Sequence, residues 1–176
     1  MRDATSLLTL AAVAVAATMT FAGGADPGTA QEAPCSGPRY RAFDFWIGDW
    51  VVTNPDGDEV GRNRIRKVAG GCGLLESWTS ADGTTGTSLN FYDPAEESWT
   101  QVWIGARGLR LHLEGGMDGN GMVLEGERTR DGEQMRDRIT WTPREDGSVR
   151  QTWETSSGDD GWKTSWVGYY EPSEDG

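Results

Sequence analysis

From Gly48 onward the chain repeats one short phrase: alternating apolar and polar residues, then a turn signal. The turn signals are Pro55-Asp56-Gly57, Gly70-Gly71, Ala81-Asp82-Gly83, Asp93-Pro94 and Arg107-Gly108. They continue with Gly115-Gly116 through Gly121, Asp131-Gly132, Glu145-Asp146-Gly147 and Gly158-Asp159-Asp160-Gly161. Period-two alternation marks strands with one buried face, and Gly, Asp and Pro at this spacing read as hairpins. The segments between turns number about ten, the size range of small closed barrels. The predicted fold class is all-β, a closed antiparallel meander β-barrel of about ten strands. Arg39 to Ile47 is expected to form one short helical turn that plugs an end of it.

Strand parity sorts the side chains onto two faces. One face collects Leu74, Glu76 and Trp78, Leu89 and Phe91, then Trp99, Gln101 and Trp103. It continues through Leu109, Leu111 and Leu113, Met122 and Leu124, Ile139 and Trp141, Val149, Gln151 and Trp153, and Trp166 and Tyr170. The other face carries Arg110, His112, Glu114, Glu125, Arg138, Arg150, Glu154 and Lys163. The first face is the predicted interior. Val102 and Ile104 break the alternation and are expected to lie under a loop or the N-terminal segment.

Nine tryptophans are a heavy load for 176 residues, and indoles of this number belong in a core or around a cavity. The net charge of -12 argues against a nucleic-acid partner, because phosphate binding needs a basic face, and none is expected. It also argues against docking on anionic lipid, and no membrane contact is expected once a leader is removed.

Residues 1–25 read as a secretory signal: Arg2 is followed by an apolar run from Leu7 to Ala17 too short to span a bilayer. An uncleaved N-terminal anchor is the alternative. Residues 26–38 form a Pro-rich linker and residues 39–172 the barrel domain. The expected location is secreted or periplasmic. In that setting the lone pair Cys35 and Cys72 is expected to form a disulfide, with two free thiols as the alternative. Glu32-Ala33-Pro34 before Cys35 makes a poor lipidation site.

The string Phe43-Asp44-Phe45-Trp46-Ile47-Gly48-Asp49-Trp50 ends in Gly-Asp-Trp at the first strand. It resembles the Gly-x-Trp signature of the calycin superfamily of lipocalins, fatty-acid-binding proteins and nitrobindins. With Gly71-Cys72, Leu89 to Pro94 and Asp137 to Thr142, it is similar to an uncharacterised family of exported bacterial proteins. The resemblance covers residues 40–171. It implies a calycin-like barrel in which Trp50 closes one end and packs against a base from a late strand, but it brings no activity. The nitrobindin branch binds haem through a His on a late strand. This chain departs from it, because His112 is its single His, lies mid-chain and falls on the outer face. The second glycine-rich step after the signature Trp is also missing. No cofactor is expected.

The predicted interior holds few polar groups: Glu76, Gln101 and Gln151, with Asn90 added if its strand shifts by one. Together with Trp78, Trp103, Trp141 and Trp153 they form the candidate site. A Trp-rich cavity with a few amides and an acid suits a small, partly apolar or aromatic molecule. The alternative is a structural or interaction protein whose barrel is packed solid. An enzyme using Glu76 as acid or base ranks third, and a raised Glu76 pKa beside a cavity would favour it. The bland account of Glu76 pairs it with Arg128 or sets it in water at the rim. No catalytic set and no metal site can be named, since two Cys and one distant His lack ligand spacing. Asp56-Gly57-Asp58 and Asp118-Gly119-Asn120 read as hairpin turns rather than calcium loops.

Overall fold

The computed structural model describes residues 33–158 and 161–174. The proposed signal segment lies outside the described residues. The chain forms a closed barrel of ten antiparallel strands in meander order. They are β1 (Gly48–Thr53), β2 (Glu59–Val68), β3 (Gly73–Ser80), β4 (Thr85–Asp93) and β5 (Ser98–Gly105). There follow β6 (Arg110–Asp118), β7 (Gly121–Arg130), β8 (Glu133–Pro143), β9 (Val149–Ser157) and β10 (Lys163–Pro172). β1 pairs with β10 from Trp50↔Pro172 to Thr53↔Tyr169, which closes the ring and leaves no free edge. The Gly115-Gly116 pair lies inside β6, and the β6–β7 turn falls at Gly119 and Asn120 instead.

A meander places alternate turns at opposite ends. One end is plugged. A short helix, α1 (Pro38–Arg41), and a 3₁₀ turn (Asp44–Trp46) lie against it, the latter within the expected plug segment. Phe43 and Trp46 are fully buried there, and Trp50 is 5% exposed. The rings interlock: Phe43 stacks on Trp46 at 4.9 Å and meets Trp99 and Trp141 edge-on. Trp50 Nε1 donates to the Trp46 carbonyl at 2.9 Å, so the signature Trp ties the plug to β1. Its ring meets Tyr170 edge-on. The bases at this end come from β2 and α1, not from a late strand, and they serve the carboxylates. Arg64 and Arg66 bind Asp49, and Lys67 binds Asp44 at 2.9 Å.

Cys35 and Cys72 form a disulfide that fastens the plug to the β2–β3 turn. Closing a separation of 37 residues is worth about 3–4 kcal/mol on the chain-entropy model. Such a bond is the chemistry of an oxidising, extracytoplasmic setting. Among the described residues no helix is long and apolar enough to cross a membrane.

Strand parity, read over β3 to β10, holds on seven strands and fails on β4. Leu89 is 45% exposed on the outer wall, and Phe91 shares its side. Ser88, Asn90 and Tyr92 point inward and are buried. The cause is next door. Glu76 on β3 pairs with Ser88 across the ladder, so β4 must present polar groups to the interior there. Leu75, Leu89 and Val102 then align as neighbours across three strands on the outside. Val102 and Ile104 lie beneath no loop; they are 39% and 53% exposed on that outer wall.

β6 and β7 part company toward the unplugged end. Their ladder runs only from Glu114↔Glu125 to Asp118↔Gly121. Two glycines let the strands cross closely where they diverge. A Cβ on Gly126 would sit 2.0 Å from the His112 carbonyl oxygen, and one on Gly115 would sit 2.2 Å from that of Val123. Beyond them the wall carries a cleft of about 1100 Å³ between Leu109–His112 and Glu127–Asp131.

Candidate ligand-binding cavity

Above the aromatic plug the interior is hollow. A cavity of about 310 Å³ is bounded by Glu76, Gln101 and Gln151, and by Trp78, Trp103, Trp141 and Trp153. All seven residues of the candidate site thus surround one space. Leu109, Leu111, Ile139, Ser165, Trp166 and Tyr170 complete its wall. The barrel is therefore filled at one end and open at the other, rather than packed throughout.

Depth sets the character of each group. Trp141 and Tyr170 form the floor and are 1% and 2% exposed. Trp78, Trp103, Trp153 and Trp166 are half-buried and ring the mouth. Three mouth indoles rest on glycines. An added Cβ would lie 2.6 Å from Trp78 at Gly61, 2.2 Å from Trp103 at Gly86 and 2.1 Å from Trp166 at Gly168. The missing side chains are the seats of the rings.

Glu76 is 5% exposed and has no cationic partner among the described residues. Its carboxylate is held by neutral donors. Asn63 Nδ2 donates to Oε1 at 2.7 Å, and Ser88 Oγ donates to Oε2 at 2.6 Å. Asn90 Nδ2 donates to Ser88 Oγ at 2.8 Å, and Gln101 Nε2 donates to Asn90 Oδ1 at 2.8 Å. Ladder pairing builds this chain directly, since Glu76 faces Ser88 and Asn90 faces Gln101. Burial pushes the Glu76 carboxyl up to about 7, against the lowering effect of the Ser88 and Asn63 hydrogen bonds. Tyr170 donates to Gln151 Oε1. Burial and then the Glu76 charge hold its hydroxyl well above the ordinary phenol value of 10.0, with a hydrogen bond from Asn63 opposing both.

Arg128 does not serve Glu76. Its Nε donates to Asp137 Oδ2 at 2.7 Å, and Asp137 is 1% exposed. Trp153 Nε1 also donates to Asp137, at 2.8 Å, so the pair fixes one mouth indole. Trp153, Leu109 and Leu111 line both the interior cavity and the β6–β7 cleft, making a shared partition between them.

His112 lies on the outer wall, 3.7 Å from Glu114, with 63% of its side chain exposed. At the turn after β1, Asn54 Oδ1 accepts the backbone N–H groups of Asp56 and Asp58, the closure of a hairpin.

Asn63, Ser88 and Asp137 were not singled out by reading the sequence. Asn63 and Asp137 were available by parity, whereas Ser88 lies on the strand where parity fails. Asn63 lies between Gly61 and Ile65, and Asp137 between Met135 and Ile139. Their polarity hid them, because an alternation rule looks for apolar inward residues. No protein-family model and no curated protein matches the chain.

Proposed function

We propose that the protein is an exported, calycin-like barrel that binds a small, partly apolar or aromatic molecule inside. The observation that carries this reading is the half-filled barrel. A packed aromatic plug stops short of an indole-walled cavity of about 310 Å³, at the small end of the about 300–1,000 Å³ range of ligand pockets. A guest of that size is a compact one- or two-ring molecule. The Gly-Asp-Trp opening at β1 and the closed meander support the superfamily assignment. The disulfide supports export.

The test is native mass spectrometry of protein purified from its own host, joined to titration with the neutral dye N-phenyl-1-naphthylamine. A stoichiometric small-molecule adduct, or one-to-one dye binding weakened by Trp103→Ala and Trp153→Ala, is expected. Absence of both would hand the function to the outer wall and make the barrel a scaffold.

A buried acid near neutrality favours a second reading, in which Glu76 acts as general acid or base on the guest. Glu76→Gln separates the two. A guest consumed by the unaltered protein and held intact by the variant would make the protein an enzyme.

A further inference from the structure

The chemistry of the interior narrows the class of guest, and this step rests on the interior being a ligand site. Glu76 is a buried acid without a base. Among the described residues no Lys, Arg or His lines the cavity. Arg128 on β7 is committed to Asp137. The polar chain around Glu76 is directional: Gln101 donates to Asn90, Asn90 to Ser88, and Ser88 to Glu76, while Asn63 donates from the other side. Each of these four bonds donates toward the carboxylate, while Asn90 Nδ2 also lies 3.4 Å from the Leu74 carbonyl. Donors aligned in this way polarise one another and stabilise negative charge at the terminus. Gln101 spends its amide N–H₂ on Asn90. Its carbonyl oxygen has no partner among the described residues, and Gln101 lines the cavity. The inner surface therefore offers hydrogen-bond acceptors at depth. Above them stand the indoles of Trp78, Trp103, Trp153 and Trp166. Indole faces carry negative potential and attract cations.

We propose that the cavity takes a compact organic cation, an amine on an aromatic or alkyl body, with its ammonium on Glu76 and its body among the mouth tryptophans. An ammonium supplies the positive charge that the cavity wall lacks, and N–H donors for Glu76 and the Gln101 carbonyl oxygen. A carboxylate guest would meet Glu76 with no base to neutralise either charge, a costly burial.

The affinity is coupled to protonation. The groups that face Glu76 are Asn63 on β2, Ser88 and Asn90 on β4, Gln101 on β5 and Tyr170 on β10. Tyr170 alone titrates, and it stays neutral well past pH 10. Among the described residues that line the cavity, Glu76 is thus the one whose charge changes near neutrality. Amine affinity should be flat between about pH 8 and about 9, where the guest is still an ammonium, and fall about tenfold per pH unit below about 7. Binding at pH 6.5, about half a unit below that value, should release protons.

Calorimetry on the full chain tests this with matched probes: 2-phenylethylamine, 2-phenylethanol and 3-phenylpropanoate. At pH 8 the amine should bind about 10- to 100-fold more tightly than the alcohol, the span of a hydrogen bond to a charged group. The preference should vanish at about pH 5 and in Glu76→Gln. The pH series on the unaltered protein stands whether or not that variant folds. Alcohol or acid binding equal to or tighter than the amine would overturn the inference and leave the binding reading intact. Failure of all three probes together with the neutral dye would overturn both.

Discussion

At the plugged end of the barrel Phe43, Trp46, Trp99 and Trp141 touch one another, with ring centroids 4.9 to 5.6 Å apart. At the other end the ring contacts thin out: Trp78 and Trp166 meet once, at 6.4 Å, and Trp103 and Trp153 have no ring partner among the described residues. The mouth indoles lean on glycines and on Asp137 instead. One residue type therefore serves two purposes. Where indoles fill each other's contacts, they are core and contribute dispersion and burial. Where they are seated on backbone and leave a face uncovered, they are wall. Stability is concentrated below the cavity, and recognition is spread around its rim.

The strongest test of that division is at the plug. Trp46→Ala and Trp50→Ala should each cost about 3–5 kcal/mol in urea unfolding, the range for deleting a buried aromatic. Trp46 should be the worse, since it touches Phe43, Trp141 and Tyr170 and leaves a void beside all three. A loss below about 1 kcal/mol at either position would mean that the plug is an accessory rather than core.

Between the two regions lies Glu76, and pH reads its cost. Burial raises its value from 4.5 in the unfolded chain to about 7 in the folded barrel. A carboxyl raised on folding contributes stability that is complete below about 4.5 and is lost as pH climbs to about 7. The expected fall between those limits is about 3 kcal/mol, with a flat profile above. Asp49, held low chiefly by its hydrogen bonds from Arg66 and Arg64, acts below that window with the opposite slope. Unfolding free energies of the unliganded protein at pH 5 and pH 8 measure the difference, and Glu76→Gln should flatten it. Stability that instead rises over this interval would show Glu76 ionised and already paired in the folded state.

Much of this organisation was legible before any coordinates. Turn signals at regular spacing specify hairpins through backbone geometry, which acts locally. Parity then carried Glu76, Gln101 and Gln151 to the same side as their tryptophans, because each lies between two apolar residues on its own strand. The rule broke at β4 for a physical reason. Hydropathy reports direction only where the interior is apolar. Beside a buried carboxylate the interior is polar, so Ser88 and Asn90 turned inward and Leu89 was left outside. The same inversion concealed Asn63. The ring seats were hidden for another reason. Gly61, Gly86 and Gly168 look like weak points in a strand, and only the position of a neighbouring indole explains them. Arg128 was a plausible mate for Glu76 on charge alone. Its capture by Asp137 follows from ladder register, where Asp137 on β8 pairs with Gly126 and Arg128 lies two residues along β7 on the same face.

The smallest stability effect is expected at the rim, and it separates wall from core most finely. Trp103 is half-buried, borders the cavity and lies over Gly86. Trp103→Ala should cost only about 1 kcal/mol, because the ring already keeps part of its surface in water. Its loss also exposes Gly86 and one face of the cavity, so dye or amine binding should weaken far more than stability does. Gly86→Ala approaches the same wall from behind. The backbone at Gly86 is free of the left-handed conformation, so alanine is tolerated there except for its Cβ, which would lie 2.2 Å from the indole. The ring must move toward the cavity to relieve that contact. Both variants should therefore lose binding while remaining folded, one by removing the wall and the other by pushing it inward. If Trp103→Ala unfolds the protein as severely as Trp46→Ala, the mouth is core after all, and the contrast between the two ends collapses.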